Sequence, residues 1–138
     1  MPKNTFHKSE RLSSLIAIDR LFNGGSRSFS AFPIRIVYRL EDKKETDFSN
    51  IEVLITVSKR HFHHAVQRNR VKRQIREAYR ANRGPLKEAI SLAQKKILVA
   101  FIWQDNKLWD SQDVNDRVQR LLCRVTEKIS RSNDAETI

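Results

Sequence analysis

The stretch that decides the fold runs from residue 51 to residue 77 and reads IEVLITVSKRHFHHAVQRNRVKRQIRE. Over residues 51–57 apolar side chains alternate with a period of two, which is typical of a β-strand with one buried face. After Ser58 the apolar residues recur at helical spacing until Gly84 and Pro85 end the pattern. The stretch therefore predicts a strand followed by a long helix, the second predicted helix.

The residues before this stretch predict one helix and one further strand. A helix from Ser14 to Asn23 is expected because Ser13 and Ser14 offer N-caps and two glycines, Gly24 and Gly25, follow it. Its apolar residues fall on one face: Leu15, Ile18 and Phe22. From Ile34 to Leu40 the apolar residues alternate again, which predicts a strand. Because a polar linker at residues 41–50 joins the two strands, we expect an antiparallel hairpin.

The residues after the second predicted helix predict a strand and a final helix. A short helical piece is expected between Pro85 and Gln94, and the continuous apolar run from Ile97 to Trp103 predicts a buried strand. Trp103 is expected in the core. The final helix is predicted to begin at Asp110 or Ser111, with a frayed tail beyond Arg131. Its apolar residues share one side: Val114, Val118, Leu121, Leu122, Val125 and Ile129.

Taken in order, these elements predict a single α+β domain. The order is α-β-β-α-β-α, with a small mixed β-sheet packed against helices. The chain of 138 residues, of which 39% are hydrophobic, is long enough to bury one core. We expect one domain over residues 1–138, with its core at about residues 9–130 and frayed termini.

The charge balance indicates a polyanionic partner. The chain holds 27 Lys and Arg against 16 Asp and Glu, a formal net charge of +11. No apolar run approaches the about 20 residues that a membrane span needs, so no membrane partner is expected. The single cysteine, Cys123, falls in an apolar helical stretch, and we interpret it as a core residue of a cytoplasmic protein.

Most of this charge lies on the second predicted helix. Between residues 59 and 83 nine Lys and Arg are opposed by one acid, Glu77. Like charges at helical spacing repel each other and destabilise a helix, and phosphates would relieve that repulsion. Guanidinium groups pair with phosphate oxygens through two parallel hydrogen bonds, and each neutralised phosphate releases counterions. The helix therefore predicts a nucleic-acid-binding surface.

The residues on and before this helix resemble the Arg-Asn-Arg motif of the bacterial ribonuclease P protein family. The resemblance consists of Ser-Lys-Arg at 58–60, Ala-Val at 65–66 and the run Arg-Asn-Arg-x-Lys-Arg-x-x-Arg at 68–76. The element order and chain length agree over about residues 9–130. This resemblance implies a left-handed crossover between the parallel strands, although about 98% of such connections are right-handed.

By the same resemblance, the chain would be the RNA-binding protein subunit of ribonuclease P. It would assist a catalytic RNA in removing the 5′ leader of precursor tRNA. Eight residues would contact RNA: Lys59, Arg60, Arg68, Asn69, Arg70, Lys72, Arg73 and Arg76. The catalytic site would lie in the RNA, with Mg²⁺ held mainly by the RNA and the substrate, so the resemblance assigns the chain no catalytic residue and no metal ligand.

A cleft between the sheet and the first helix is also implied by the resemblance. It would hold the single-stranded 5′ leader, and Ile18, Phe22 and Val37 fall at positions that line it. Aromatic side chains stack on bases of any sequence, although Ile18 stands where relatives often carry an aromatic residue. The acidic stretch at residues 41–47 would repel phosphate, so we expect it to lie away from the RNA.

Other readings of the sequence remain as alternatives. A general ribosomal or assembly-type RNA-binding protein would carry a similar basic helix. A helix-turn-helix protein needs two helices joined by a short turn, whereas this basic helix follows a strand, so no DNA partner is expected. An autonomous nuclease would need clustered acids to hold Mg²⁺, and the acids here are scattered. His61, His63 and His64 could contact RNA or belong to a solvated loop, and no metal site is predicted there.

Overall fold

The structure is a computed structural model that describes residues 15–23, 25–43 and 50–136. Ser13 and Ser14, the predicted N-caps of the first helix, lie outside these residues. In chain order the elements are α1 (Leu15–Phe22), β1 (Arg27–Ala31), β2 (Ile34–Asp42), β3 (Ile51–Thr56), α2 (Ala65–Asn82), α3 (Gly84–Ala93), β4 (Lys95–Trp103) and α4 (Ser111–Glu136).

The strands form one mixed sheet in the order β1-β2-β4-β3. β2 runs antiparallel to both β1 and β4, whereas β3 runs parallel to β4. This sheet and its helices confirm the predicted α+β class. The predicted hairpin between β2 and β3 is wrong, because β4 lies between them. β4 is apolar throughout from Ile97 to Trp103, and such a strand is most stable in the centre of a sheet, where helices cover it.

β1 is a strand that the sequence pattern did not predict. Only Phe29 and Ala31 of this strand pack against the core, so it shows no extended alternation of apolar residues. β1 pairs with β2 across a two-residue turn that contains the cis peptide bond between Phe32 and Pro33. It forms one outer edge of the sheet.

The main core lies between one face of the sheet and the helices α2, α3 and α4. Residues at alternate positions of β2, β3 and β4 contribute to it, among them Ile36, Val53 and Phe101. The predicted apolar stripe of α4 is confirmed, since each of its six residues is 3% exposed or less. Trp103 is 1% exposed, as expected. Burial of a large apolar side chain contributes about 1.5–3 kcal/mol to stability.

α2 and α3 together connect the parallel strands β3 and β4. α2 ends at Asn82, and α3 starts almost at once because Pro85 fits the first turn of a helix. α3 confirms the short helical piece predicted here. It ends at Gln94, which adopts a left-handed backbone conformation (φ 54°) and donates its N–H to carbonyls of the preceding turn. The handedness of the crossover stays a prediction.

One prediction about the last helix is wrong. α4 continues to Glu136, and the frayed tail expected beyond Arg131 stays a prediction. Cys123 is exposed and is not a core residue. The buried stripe passes through Leu122 and Val125, so Cys123 falls on the opposite side of the helix. Within the described residues no helix combines the length and apolar character needed to cross a membrane.

α1 packs on the opposite face of the sheet. There Leu21 is fully buried in a small group that we call the α1 cluster: Leu21, Val37, Leu98 and Ala100. The predicted apolar face of α1 is only partly right, since Ile18 packs against this cluster but Phe22 is 46% exposed. A helix of eight residues is not stable by itself, so this packing is what holds α1 in place.

Candidate nucleic-acid interface

α2 buries one face and presents basic side chains around the rest. Its buried residues are Val71, Gln74, Ile75, Ala78 and Tyr79. Arg70 and Arg73 are exposed with Asn69, while Lys72 and Arg76 are half-buried. Among the described residues, no acid forms an ion pair with Arg70 or Arg73. Their charge is therefore available to a partner.

The loop between β3 and α2 presents two more basic residues. Phe62 is 4% exposed and anchors the loop in the core. Ser58 shapes the turn, because its carbonyl accepts the N–H of His61 at 3.1 Å and its Oγ accepts the N–H of Arg60 at 3.0 Å. Lys59 and Arg60 are exposed on this turn, beside the start of α2.

Arg68 closes this loop onto the first turn of α2. Its Nη1 donates to the carbonyls of Phe62 at 2.8 Å and of His63 at 3.0 Å. The family resemblance implied an RNA contact for Arg68, and nothing in the sequence predicted this structural role. A guanidinium has five N–H donors, so an RNA contact through the remaining donors stays a prediction.

α2 begins without a negatively charged group. Its N-cap is His64, and within the described part of the chain no side chain caps the helix by a hydrogen bond. Its first turn contains no acid either. Because a helix N-terminus carries a partial positive charge, this end of α2 attracts anions. It therefore extends the positive surface formed by Lys59 and Arg60.

A groove of about 720 Å³ separates α2 from the start of α4. Arg70, Arg73 and Arg80 line it on one side, and Ser111, Gln112 and Asn115 line it on the other. Gln74 fixes the floor, since its Nε2 donates to the carbonyl of Trp109 at 2.8 Å and to Ser111 Oγ at 3.1 Å. No local pattern could reveal this groove, because its two walls lie far apart in sequence.

Two of the nine basic residues between residues 59 and 83 add less to the positive surface than their number predicted. Arg83 is 3% exposed and lies over the ring of Tyr79, with its guanidinium carbon 5.8 Å from the ring centre. Arg80 forms an ion pair with Glu77 at 2.9 Å. The positive surface of α2 is therefore concentrated in its first half.

The predicted leader-binding residues lie at the α1 face of the sheet. Ile18 and Val37 pack in or against the α1 cluster, whereas Phe22 is exposed at the end of α1. The structure thus brings two of the three together. Beyond α1, Leu54 and Ile102 are half-buried on the same sheet face. Polar residues of β1 and β2 are exposed beside them: Ser28, Ser30 and Arg35. An apolar floor with a polar rim can hold unstacked bases.

Acids neutralise the far end of this face. Glu41 forms ion pairs with Arg20 at 3.0 Å and with Arg39 at 3.7 Å. Asp42 accepts a hydrogen bond from Lys95 at 2.7 Å, and this bond, with the charge of Lys95, lowers the pKa of Asp42. Residues 44–47 of the acidic stretch lie outside the described residues, so its position relative to RNA stays a prediction.

The three loop histidines do not converge. His61 forms a hydrogen bond through Nδ1 with Asn106 Oδ1 at 2.7 Å, whereas His63 and His64 are exposed. Across the described residues, no three His, Cys, Asp or Glu side chains are grouped so that they could hold a metal ion.

Comparison with known proteins decides between the remaining readings. The sequence model of the family described as Ribonuclease P matches residues 6–126. The chain belongs to the ribonuclease P protein family. A ribonuclease P protein component of Porphyromonas gingivalis is 36% identical over 125 residues, which cover 91% of this chain and 89% of the relative. One of Chlorobaculum tepidum is 30% identical over 105 residues, covering 73% and 68%.

Solved ribonuclease P proteins share the fold. The Staphylococcus aureus RNase P protein superposes with a TM-score of 0.62 at 21% identity, covering 84% of this chain and 94% of that one. A mutant of the same protein gives a TM-score of 0.65 at 18% identity, covering 86% and 89%. Family membership makes this chain the protein component of ribonuclease P, with an RNA subunit as its partner. These matches do not favour the general RNA-binding alternative.

Proposed function

We propose that the chain binds the RNA subunit of ribonuclease P through α2 and the loop before it, and the single-stranded 5′ leader of precursor tRNA through the α1 face of the sheet. The observation that carries the first contact is the exposed pair Arg70 and Arg73, which no described acid neutralises. Arg70 and Arg73 lie on one helix with the exposed Asn69, and Lys59 and Arg60 are exposed in the loop before that helix.

The physical basis of this contact is the release of counterions. Each phosphate that Lys or Arg neutralises releases counterions, so affinity for RNA falls steeply with salt. The uncapped start of α2 adds backbone N–H donors to the same surface. The remaining predicted contacts, Lys72 and Arg76, are half-buried along the same helix and would support it.

The α1 face of the sheet supports the proposed contact with the leader. Phe22 offers an exposed ring at the end of α1, where a base can stack. Val37, Leu54 and Ile102 give an apolar floor that accepts bases without reading their sequence. A single strand with unpaired bases fits this face, whereas a duplex hides its bases in the stack.

The reaction is the endonucleolytic hydrolysis of the phosphodiester bond at the 5′ end of the mature tRNA. We place the catalytic site in the RNA, with Mg²⁺ held mainly by RNA and substrate phosphates. The described residues offer no cluster of ligands that fits a metal ion, so no step is assigned to an ion on the protein. The protein's own residues would neutralise phosphates and orient the leader. We also propose that it acts in the cytoplasm.

The test is cleavage of precursor tRNA by a bacterial ribonuclease P RNA at low Mg²⁺, with and without this protein at fixed ionic strength. Restored cleavage at the correct 5′ position is the expected result. Binding to the RNA without restored cleavage would support the general RNA-binding alternative. Cleavage by the protein alone would place an active site in this chain and contradict the proposal.

A further inference from the structure

α4 carries a second row of basic side chains beside its buried stripe. We call this the α4 row: Arg117, Arg120, Arg124, Lys128 and Arg131. The spacing of three or four residues puts all five along one side of the helix. Arg117 is half-buried and the other four are exposed. At 1.5 Å per residue the row is about 21 Å long, which spans several phosphates of an RNA strand.

The described acids on α4 form no ion pair with this row. Asp113, Asp116 and Glu127 each precede one of its residues by four positions, a spacing that allows ion pairs. Among the described residues, however, none of the row's basic groups lies within 4.0 Å of a carboxylate oxygen. The row's exposed guanidinium and ammonium groups are therefore not held by the described acids and can meet a phosphate.

Aromatic contacts fix part of the row against β1. The guanidinium carbon of Arg124 lies 4.2 Å from the ring centre of Phe29. Arg117 lies over Trp109 at 5.4 Å and donates from Nε to the carbonyl of Phe32 at 3.1 Å. A guanidinium that stacks on a ring keeps its edge donors available to phosphate. These contacts position the charge before any partner binds.

The row ends beside a pocket of about 280 Å³ that we call the Tyr38 pocket. Its charged lining comes from Arg27, Arg39 and Lys128. Tyr38 forms a wall of the pocket and is 3% exposed, with the Arg27 guanidinium beside its buried hydroxyl. Among the described residues of the lining, no acid faces these three positive charges. A pocket lined in this way attracts a phosphate group.

We propose that the α4 row and the Tyr38 pocket form a second RNA-binding surface, in which the row follows the backbone and the pocket receives one phosphate. An RNA strand fits because its charges are spread along a line, as the row is, and not gathered at a point. The inference rests on the proposed function, since it assumes that the chain binds ribonuclease P RNA. It adds a surface that lies outside the Arg-Asn-Arg motif.

The test compares two double variants with equal changes in charge. Arg120→Glu with Lys128→Glu alters the row, and Lys43→Glu with Lys87→Glu alters exposed lysines outside both proposed surfaces. Each pair lowers the formal net charge of +11 by four units. Binding to a bacterial ribonuclease P RNA is measured at several salt concentrations. At about 0.15 M salt the screening length is about 8 Å, so charges that lie farther than this from the bound RNA contribute little to its affinity.

We expect the row variant to bind at least about ten-fold more weakly than wild type, with a salt slope reduced by about two, while the control changes little. Equal affinities for the two double variants would overturn the inference. Wild-type protein in the same assay separates the two proposals: its failure to bind would count against the proposed function, whereas normal wild-type binding with equal variants would count against the row alone.

A second variant tests the pocket. Arg27→Gln removes one positive charge from the lining, and Arg27 is exposed, so the fold should not depend on it. We expect a nearly unchanged melting temperature and about three-fold weaker binding to RNA, because one charge-assisted hydrogen bond to phosphate is lost. Wild-type affinity in a folded Arg27→Gln protein would show that no phosphate enters the pocket.

Discussion

α2 and α4 lie side by side on one face of the sheet, but their charges are organised differently. α2 carries six basic residues and one acid in 18 residues, whereas α4 carries five of each in 26. By composition α2 is strongly positive and α4 is neutral. In the structure both helices present a row of basic side chains. The comparison teaches that the charge of a helix must be sorted by face before a binding surface can be excluded.

The acids of the two helices explain this difference. Asp113 lies in the first turn of α4, where a negative charge stabilises the helix dipole. Such an acid serves the helix itself and leaves the basic row unpaired. The first turn of α2 has no acid and no side-chain cap among the described residues. That end of α2 is therefore left to an external anion.

The largest effect is expected from reversing charge on α2. Arg70→Glu with Arg73→Glu should weaken binding to ribonuclease P RNA by about 100-fold, because two phosphate contacts become repulsions beside the positive helix end. The measurement is a binding titration at fixed salt, with Lys43→Glu and Lys87→Glu as the control of equal charge. A smaller loss than that of the α4 variant would invert the ranking of the two helices.

The next effect concerns the opposite face of the sheet. Phe22→Ala should reduce the affinity for leader-bearing precursor tRNA by about ten-fold, because stacking of one base is worth about 1–3 kcal/mol. Leu92→Ala, which trims another exposed apolar side chain (74% exposed) on α3, is the matched control. Binding of mature tRNA without a leader should not change. An equal loss on leaderless tRNA would contradict the leader contact.

The sequence predicted the elements better than their arrangement. Periodicity located β2, β3, α2 and α4 because each buries an apolar face of its own, and the continuous apolar run located β4. It could not place β4 between β2 and β3, since strand order depends on which strand is covered on both faces. β1 was missed because only Phe29 and Ala31 pack inward. β2 and β3 were expected to pair because they follow each other in the chain, but in the sheet β4 lies between them.

The candidate site was predictable where residues are close in sequence. In the structure the motif at 68–76 exposes Asn69, Arg70 and Arg73, and the turn before the helix exposes Lys59 and Arg60. The motif could not show that Arg68 also holds the loop, or that Arg83 is buried over Tyr79, because both depend on tertiary contacts. The sequence did not predict the α4 row, because equal numbers of acidic and basic residues on α4 do not show which side chains share a face.

A third prediction concerns the hydrogen bonds that join α2 to the start of α4, which do not involve RNA. Gln74→Ala removes the hydrogen bonds to the carbonyl of Trp109 and to Ser111 Oγ. We expect a loss of about 1 kcal/mol in the free energy of unfolding, measured by urea denaturation. Gln112→Ala, at an exposed position of the same groove, should change it little. RNA affinity of the folded variant should stay within about two-fold of wild type, since Gln74 carries no charge. A large drop in affinity would mean that Gln74 contacts RNA itself.

The smallest expected effect is a pH dependence at Tyr38. Burial raises the pKa of Tyr38, and the neighbouring Arg27 guanidinium, through its charge and hydrogen bonding, offsets only part of that rise. The folded state therefore holds this proton more tightly than the unfolded state, so stability is complete below the ordinary value of about 10 and falls as the pH rises above it. Thermal melts between about pH 9 and pH 11 should show this loss in wild type and a weaker loss in Tyr38→Phe. Parallel curves would mean that Tyr38 ionises as freely in the folded protein as in the unfolded chain, and the wall of the pocket beside α4 would then have to be open to water.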